Sequence, residues 1–141
     1  MKGVRFGTGN NYKHSYTDYG LLLVNYNLGS PEPKTETIDV PGMDGVLDLT
    51  GVLGTLRYRQ RLLSFNFKMI KTSTYMTMYK TIMSDLHGKK LNVILDDDNA
   101  YYYYGRITVD SFASSKFFGT VTINVDAEPY KTAITGGAKY L

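Results

Sequence analysis

LRYRQRLLSFNFKMI, Leu56 to Ile70, decides the fold of this chain. Leu63, Phe65, Phe67 and Met69 fall at every second position, with Ser64, Asn66 and Lys68 between them. Successive side chains of a strand point to opposite faces, so this spacing predicts a strand with one face in a core and the other in water. Arg57, Arg59 and Arg61 continue the parity of the phenylalanines. Either a bulge turns them outward, or the strand runs past the core and aims its guanidinium groups at something.

The same alternation recurs on both sides. LLLVNYNL (Leu21–Leu28), LNVIL (Leu91–Leu95), Tyr101–Val109 and FFGTVTINVDA (Phe117–Ala127) all read as strands. Thirteen tyrosines and fourteen glycines, with four prolines and no tryptophan, suit strands joined by tight turns. One segment departs from period two. In STYMTMYKTIMSDLHG, Tyr75, Tyr79, Ile82, Met83 and Leu86 recur at helical spacing, with Thr72 or Ser73 as N-cap and Gly88 as the left-handed C-terminal residue. The expected fold is mainly β: an antiparallel sandwich or barrel-like domain with one helix over about residues 73–87. GTGNN and NNYKHSY near the N-terminus read as loops, and KTAITGGAKYL from Lys131 as a linker or frayed end.

Residues 32–54 stand apart. KTETIDV is a weak, one-sided strand, and PGMDG is a turn followed by VLDLTGVLG. The pattern predicts a projecting β-hairpin arm with an apolar tip of Val40, Met43, Val46, Leu47, Val52 and Leu53. An apolar projection needs a partner surface, on its own body or on another subunit.

At 141 residues the chain suffices for one domain with its own core. It has no cysteine, which removes thiol catalysis, disulfides and cysteine-bound zinc. MKGVRFGTGN has no apolar signal region and no stretch is long enough to span a bilayer, so a non-secreted product without a membrane partner is expected. A net charge of +3, mixed along the chain, argues against direct nucleic-acid recognition.

DDDNAYYYYGR, Asp96 to Arg106, is the stretch that most resembles a reaction centre. Contiguous aspartates do not match the alternating ligands of a calcium loop, and a turn explains them better. Parity sends Tyr101 and Tyr103 toward the core and Tyr102, Tyr104 and Arg106 outward. An exposed Tyr/Arg set suits a protein interface or a carbohydrate platform. The two histidines, His14 and His87, read as a turn residue and a helix-end cation rather than general bases. No catalytic residues, metal ligands or cofactor are expected.

Four blocks taken together carry a resemblance: KHSYTDYGLLL (13–23), GSPEPKTETIDVPGMDGVLDLT (29–50), LHGKKLNVILDDDNAYYYYGRITV (86–109) and INVDAEPYK (123–131). In order and spacing they resemble the N-terminal, ring-forming domain of the distal tail protein family of siphophages. The resemblance implies a structural virion protein at the distal end of a bacteriophage tail, assembled in the host cytoplasm. It implies a homohexameric ring joining the tail tube protein to tail-associated hub, lysin or baseplate proteins. The ring domain would occupy residues 1–131 with the arm at about 32–54, leaving 132–141 as a tail. The galectin-like second domain of many members would be absent. Expected interface residues are Val40, Met43, Val46, Leu47, Arg57, Arg59, Arg61, Tyr102, Tyr104 and Arg106. The alternative is a carbohydrate-binding β-sandwich that uses the Tyr/Arg face; a hydrolase using Asp96–Asp98 ranks last.

Overall fold

The computed structural model describes residues 2–52, 56–69, 75–115 and 118–141. In chain order the strands are β1 (Val4–Thr8), β2 (Asn11–His14), β3 (Leu21–Leu28), β4 (Thr37–Ile38), β5 (Leu47–Asp48) and β6 (Arg61–Met69). After helix α1 (Tyr75–Leu86) come β7 (Lys90–Leu95), β8 (Tyr101–Ser114), β9 (Gly119–Ala127), β10 (Lys131–Ala133) and β11 (Lys139–Tyr140). All paired strands are antiparallel, and the main sheet runs β2-β1-β7-β8-β9-β6-β3. The result is a mainly antiparallel, sandwich-like β body with one helix.

Alternation builds the core as expected. Leu63, Phe65, Phe67 and Met69 of β6 are buried beside Val121, Ile123, Val125 and Ala127 of β9. Ile107 and Val109 of β8 face the same interior, and Val4, Phe6, Leu21, Val93 and Leu95 complete it from the other strands. A bulge between Val109 and Ser111 shifts the parity of β8, so that Phe112 turns inward opposite Val121. Phe112 then meets the helix, edge-on to Tyr75 and 4.7 Å from the Tyr79 ring. Ile82 and Leu86 bury the rest of the helical face, and Gly88 has φ of 78° as the C-terminal left-handed residue. The expected N-cap at Thr72 or Ser73 lies outside the described residues, as do Ile70, Phe117 and the tip residue Leu53.

Ser15 brings the two ends of the sheet path together. Its N–H donates to Val4 O on β1, its carbonyl accepts from Leu21 N–H on β3, and its hydroxyl accepts from Val4 N–H. This fully buried polar residue is satisfied entirely by backbone, as an interior hydroxyl must be.

Three expectations are corrected. The N-terminal segments read as loops form the β1–β2 hairpin, turning at Gly9 with φ of 59°. They lack the apolar alternation of β6 because only β1 reaches the core. The segment after Lys131 is not a loose end: β10 pairs with β8 through Thr132↔Tyr102 and Ala133↔Tyr101, and β11 pairs with β10. Backbone pairing holds it, which hydropathy does not register. Last, of KTETIDV only Thr37 and Ile38 form strand.

Candidate assembly interface

The arm leaves the body between β3 and β6. At its root Lys34 N–H donates to Arg57 O and Arg59 N–H to Glu32 O, each at 2.7 Å, flanking a bridge between Pro33 and Tyr58. The Tyr58 ring stands edge-on to Tyr130, which fastens the root to the body. Beyond it β4 and β5 form a separate two-stranded sheet, with Thr37 opposite Asp48 and Ile38 opposite Leu47. Polar side chains close its open end: Glu36 N–H donates to Thr50 Oγ1, and Thr50 N–H to Asp48 Oδ1. The far turn, PGMDG, needs its glycines, since Gly42 and Gly45 sit at φ of 81° and 74°.

Met43, Val46, Leu47 and Val52 are exposed, Val46 at 53% and Val52 at 65%, whereas Val40 is half-buried. None of them joins the core cluster. Ile38 belongs with them at 47% exposed. The sequence reading passed over it because Ile38 lies within the weak strand KTETIDV rather than around the glycine turn. Ile38 and its cross-strand partner Leu47, with Met43, Val46 and Val52, thus leave apolar surface exposed on the arm.

The three arginines part company. Arg57 and Arg59 are exposed at the arm's root. Arg61 keeps the inward parity of β6, with no bulge, and is only 7% exposed. Its Nε donates to Gly29 O at 2.8 Å, and Nη1 donates to Pro129 O and Leu141 O at 3.3 and 3.2 Å. The guanidinium also lies 5.4 Å from the centre of the Tyr103 ring. Arg61 was expected at an interface with a partner; in this chain it is an interior strut joining β3, β6 and the C-terminal hairpin.

The Asp96–Asp98 run is a single 3-10 turn between β7 and β8, and each carboxylate has its own partner. Asp96 accepts from Gly3 N–H and from His14 Nε2, at 2.9 and 2.7 Å. His14 Nδ1 meanwhile accepts the Tyr16 N–H, which leaves the ring proton on Nε2. Asp97 takes Lys2 at 2.9 Å and the Tyr26 hydroxyl at 2.8 Å. These bonds, Lys2 first, hold its carboxyl below the usual range. Asp98 takes Lys131 at 2.8 Å, and that bond raises the lysine above its ordinary value. The turn thus ties the N-terminus, β3 and β10 to one corner. No cluster of metal-ligating side chains occurs among the described residues.

Tyr103 is buried, and Tyr101 is half-buried, edge-on to Tyr140 with Lys131 over its ring. Tyr102 and Tyr104 lie half-buried on the opposite face, where Ile94 is also buried, and Lys90 Nζ sits 5.0 Å above Tyr104. Gly105 follows because β9 runs too close for a side chain: a Cβ there would meet Asp126 O and lie 2.6 Å from the Ala127 Cα. Arg106 is exposed and donates to Gly88 O at 2.6 Å, capping the helix end. The structure therefore places Tyr102, Tyr104 and Arg106 on one outer face. The arm tip is a separate surface.

No protein-family model matches the sequence, and no curated protein matches it significantly. Among solved structures the fold is similar to the crystal structure of the SPP1 Dit protein, a paradigm of the hub adsorption apparatus in phages infecting Gram-positive bacteria. The TM-score is 0.68 at 18% identity, over 92% of this chain and 52% of that one. This chain thus spans about half the length of that protein. A weaker likeness, to a chain of a native gene transfer agent virion, has a TM-score of 0.47 at 13% identity, over 87% of this chain and 90% of that one, and no argument rests on it. What the first likeness carries is the fold: an antiparallel β body with one helix.

Proposed function

We propose that this chain is a structural, non-enzymatic component of a siphophage-type tail tip. Six copies form a ring at the distal end of the tail, within the virion. One side of the ring seats the tail tube, and the other seats tail-associated hub, lysin or baseplate proteins. The observation that carries the reading is the arm: a two-stranded projection whose exposed apolar residues lie outside the core cluster among the described residues. Exposed apolar surface of that kind in a folded protein calls for a partner surface. The likeness to SPP1 Dit supports a tail-hub setting. Roles that depend on the remainder of a protein twice this length are not part of the proposal.

The carbohydrate reading loses ground, because a sugar platform needs open ring faces. Lys90 covers one face of Tyr104, and Tyr102 is half-buried beside β10. The test of the ring is to mix the chain with its cognate tail tube and hub proteins, then follow mass by light scattering and shape by particle imaging. Sixfold rings are expected; monomers alone under those conditions overturn the reading.

A further inference from the structure

His14 closes the turn that leads from β2 into β3, and both its backbone and its ring are committed there. Its N–H donates to Asp18 Oδ2 at 2.7 Å, and its carbonyl accepts from Asp18 N–H at 2.9 Å. The ring reaches over the same turn: Nδ1 accepts Tyr16 N–H at 3.1 Å and Thr17 N–H at 3.4 Å. On its other side Nε2 donates to Asp96 Oδ2 at 2.7 Å, an oxygen that also accepts Gly3 N–H. Gly3 leaves room for the ring, since a Cβ there would stand 2.7 Å from His14 Cε1. One imidazole thus ties Tyr16 and Thr17 to a turn 82 positions further along the chain.

This arrangement works for one protonation state only. A neutral imidazole has one donor and one acceptor nitrogen, whereas an imidazolium has two donors and no acceptor. The turn uses the acceptor, so a proton on Nδ1 would face the N–H groups of Tyr16 and Thr17 with a third N–H. Among the described residues, the charged groups around the ring come from three elements. Asp96 lies in the 3-10 turn, and Asp18 in the turn that His14 itself closes. Arg5 is directly across from His14 on β1, with Nε 4.0 Å from Asp96 Oδ1. The Tyr12 hydroxyl lines the same side of β2, while Lys13 turns the other way, to Asp85. Protonation therefore exchanges one set of bonds for another. It makes the Nε2–Asp96 bond a charge-assisted pair and removes both bonds at Nδ1.

We infer that the Ser15–Asp18 turn is a proton-operated latch, held shut by neutral His14 and opened when Nδ1 takes a proton. The ring stays on Asp96, and Tyr16 and Thr17 turn their N–H groups to water. Tyr16, Thr17 and Asp18 are all exposed, so the turn can move without uncovering the core. The movement ends at its neighbours: Ser15 and Tyr19 are buried, and the bonds of Ser15 to Val4 and Leu21 hold β1 and β3 in place. Opening thus changes the shape of one corner and leaves the stability of the body nearly as it was. That corner is an open depression of about 550 Å³, and Thr17 and Asp18 line it together with Arg5, Tyr12 and Asp96. An opened latch remakes the part of its wall that Thr17 and Asp18 supply. The latch belongs to a single chain and needs no ring.

The test is residue-resolved NMR of the full chain, titrated from about pH 7.5 to about pH 5.5, where imidazoles ordinarily change charge. Residue resolution matters because His87 also accepts a backbone N–H at Nδ1, from Val109 at 3.0 Å. At the upper end the His14 ring nitrogens are expected to show the Nε2–H tautomer. As the ring takes its proton, the Tyr16 and Thr17 amides should lose protection against water exchange about tenfold, in step with His14. The Val4 and Leu21 amides, which donate to Ser15, should keep theirs. His14→Asn separates the latch from general effects of acid. Its Oδ1 can replace Nδ1 as acceptor and takes up no proton, so Tyr16 and Thr17 should stay protected throughout. Tyr16 and Thr17 amides that ignore the titration of His14, or that loosen equally in the His14→Asn chain, overturn the latch. So does a neutral His14 with its proton on Nδ1. The wild-type titration decides alone if the variant does not fold.

Discussion

Arg61 shows how far a single residue departs from its composition class. Arginine in an alternating strand suggests a surface or a ligand, yet three of its five N–H donors are taken up by carbonyls of Gly29, Pro129 and Leu141. The parity of Arg61 was legible; its partners were not, because they come from segments 32, 68 and 80 residues away. Removing the side chain takes the donor from the half-buried Gly29 and Pro129 carbonyls and uncovers the Tyr103 ring, at about 1–3 kcal/mol in all. Arg61→Ala should therefore lower the stability of the monomer by about 2 kcal/mol in urea unfolding. Arg61→Lys should recover less than half of that, since an ammonium cannot reproduce the planar fork. The same blindness hid the roles of the aspartates: contiguity excluded a calcium loop, but nothing in the sequence pairs Asp96 with His14 or Asp97 with Tyr26.

At the scale of elements, legibility tracked burial. β6, β8, β9 and α1 bury one face each, so their periods are written in the residues. β10 and β11 are held by backbone bonds and an arginine, and β2 by its hairpin partner, so their side chains carry no period. The arm was legible for the converse reason: apolar residues around a glycine turn with no matching bulk on the other strand. Its strands are two residues long and make no part of the core. Replacing Met43, Val46 or Leu47 with aspartate should therefore leave the monomer's melting temperature within about 2 °C, as surface changes do. The same variants should reduce self-association in sedimentation. A melting temperature lowered by much more would place the tip in its own body instead.

For the molecule as a whole, charge sets the pH limits of the fold. Burial, followed by the neighbouring Asp85 carboxylate, pushes the Tyr19 hydroxyl above its ordinary 10.0. Hydrogen bonds to Asp97 and Asp98 raise Tyr26 and Lys131. Groups raised in the native state contribute stability that is complete below their unfolded pKa and is lost as pH rises through the folded one. Asp85, held down chiefly by Lys13, works the other way: its share is present above 3.8 and is lost as pH falls. Urea midpoints should be flat between about pH 5 and 9 and fall on both sides. Tyr19→Phe should cost about 1 kcal/mol at neutral pH through its lost bond to Asp85, yet reduce the decline between pH 9 and about 11. An unchanged alkaline decline would mean that Tyr19 is not its source. Overall architecture was legible because many alternating strands with one helix leave few ways to bury every face. The meeting of the sheet's ends at Ser15 was not, since it depends on three backbone-level bonds. The unequal ladders have a mechanical consequence. β6 and β9 are paired over the whole length of β6, so tension along those strands loads the rungs side by side and they must fail together. β4 and β5 pair at only two positions, so any load that parts one arm strand from the other has little ladder to break. Such a load is expected to disrupt the arm's own pairing before it disturbs the body.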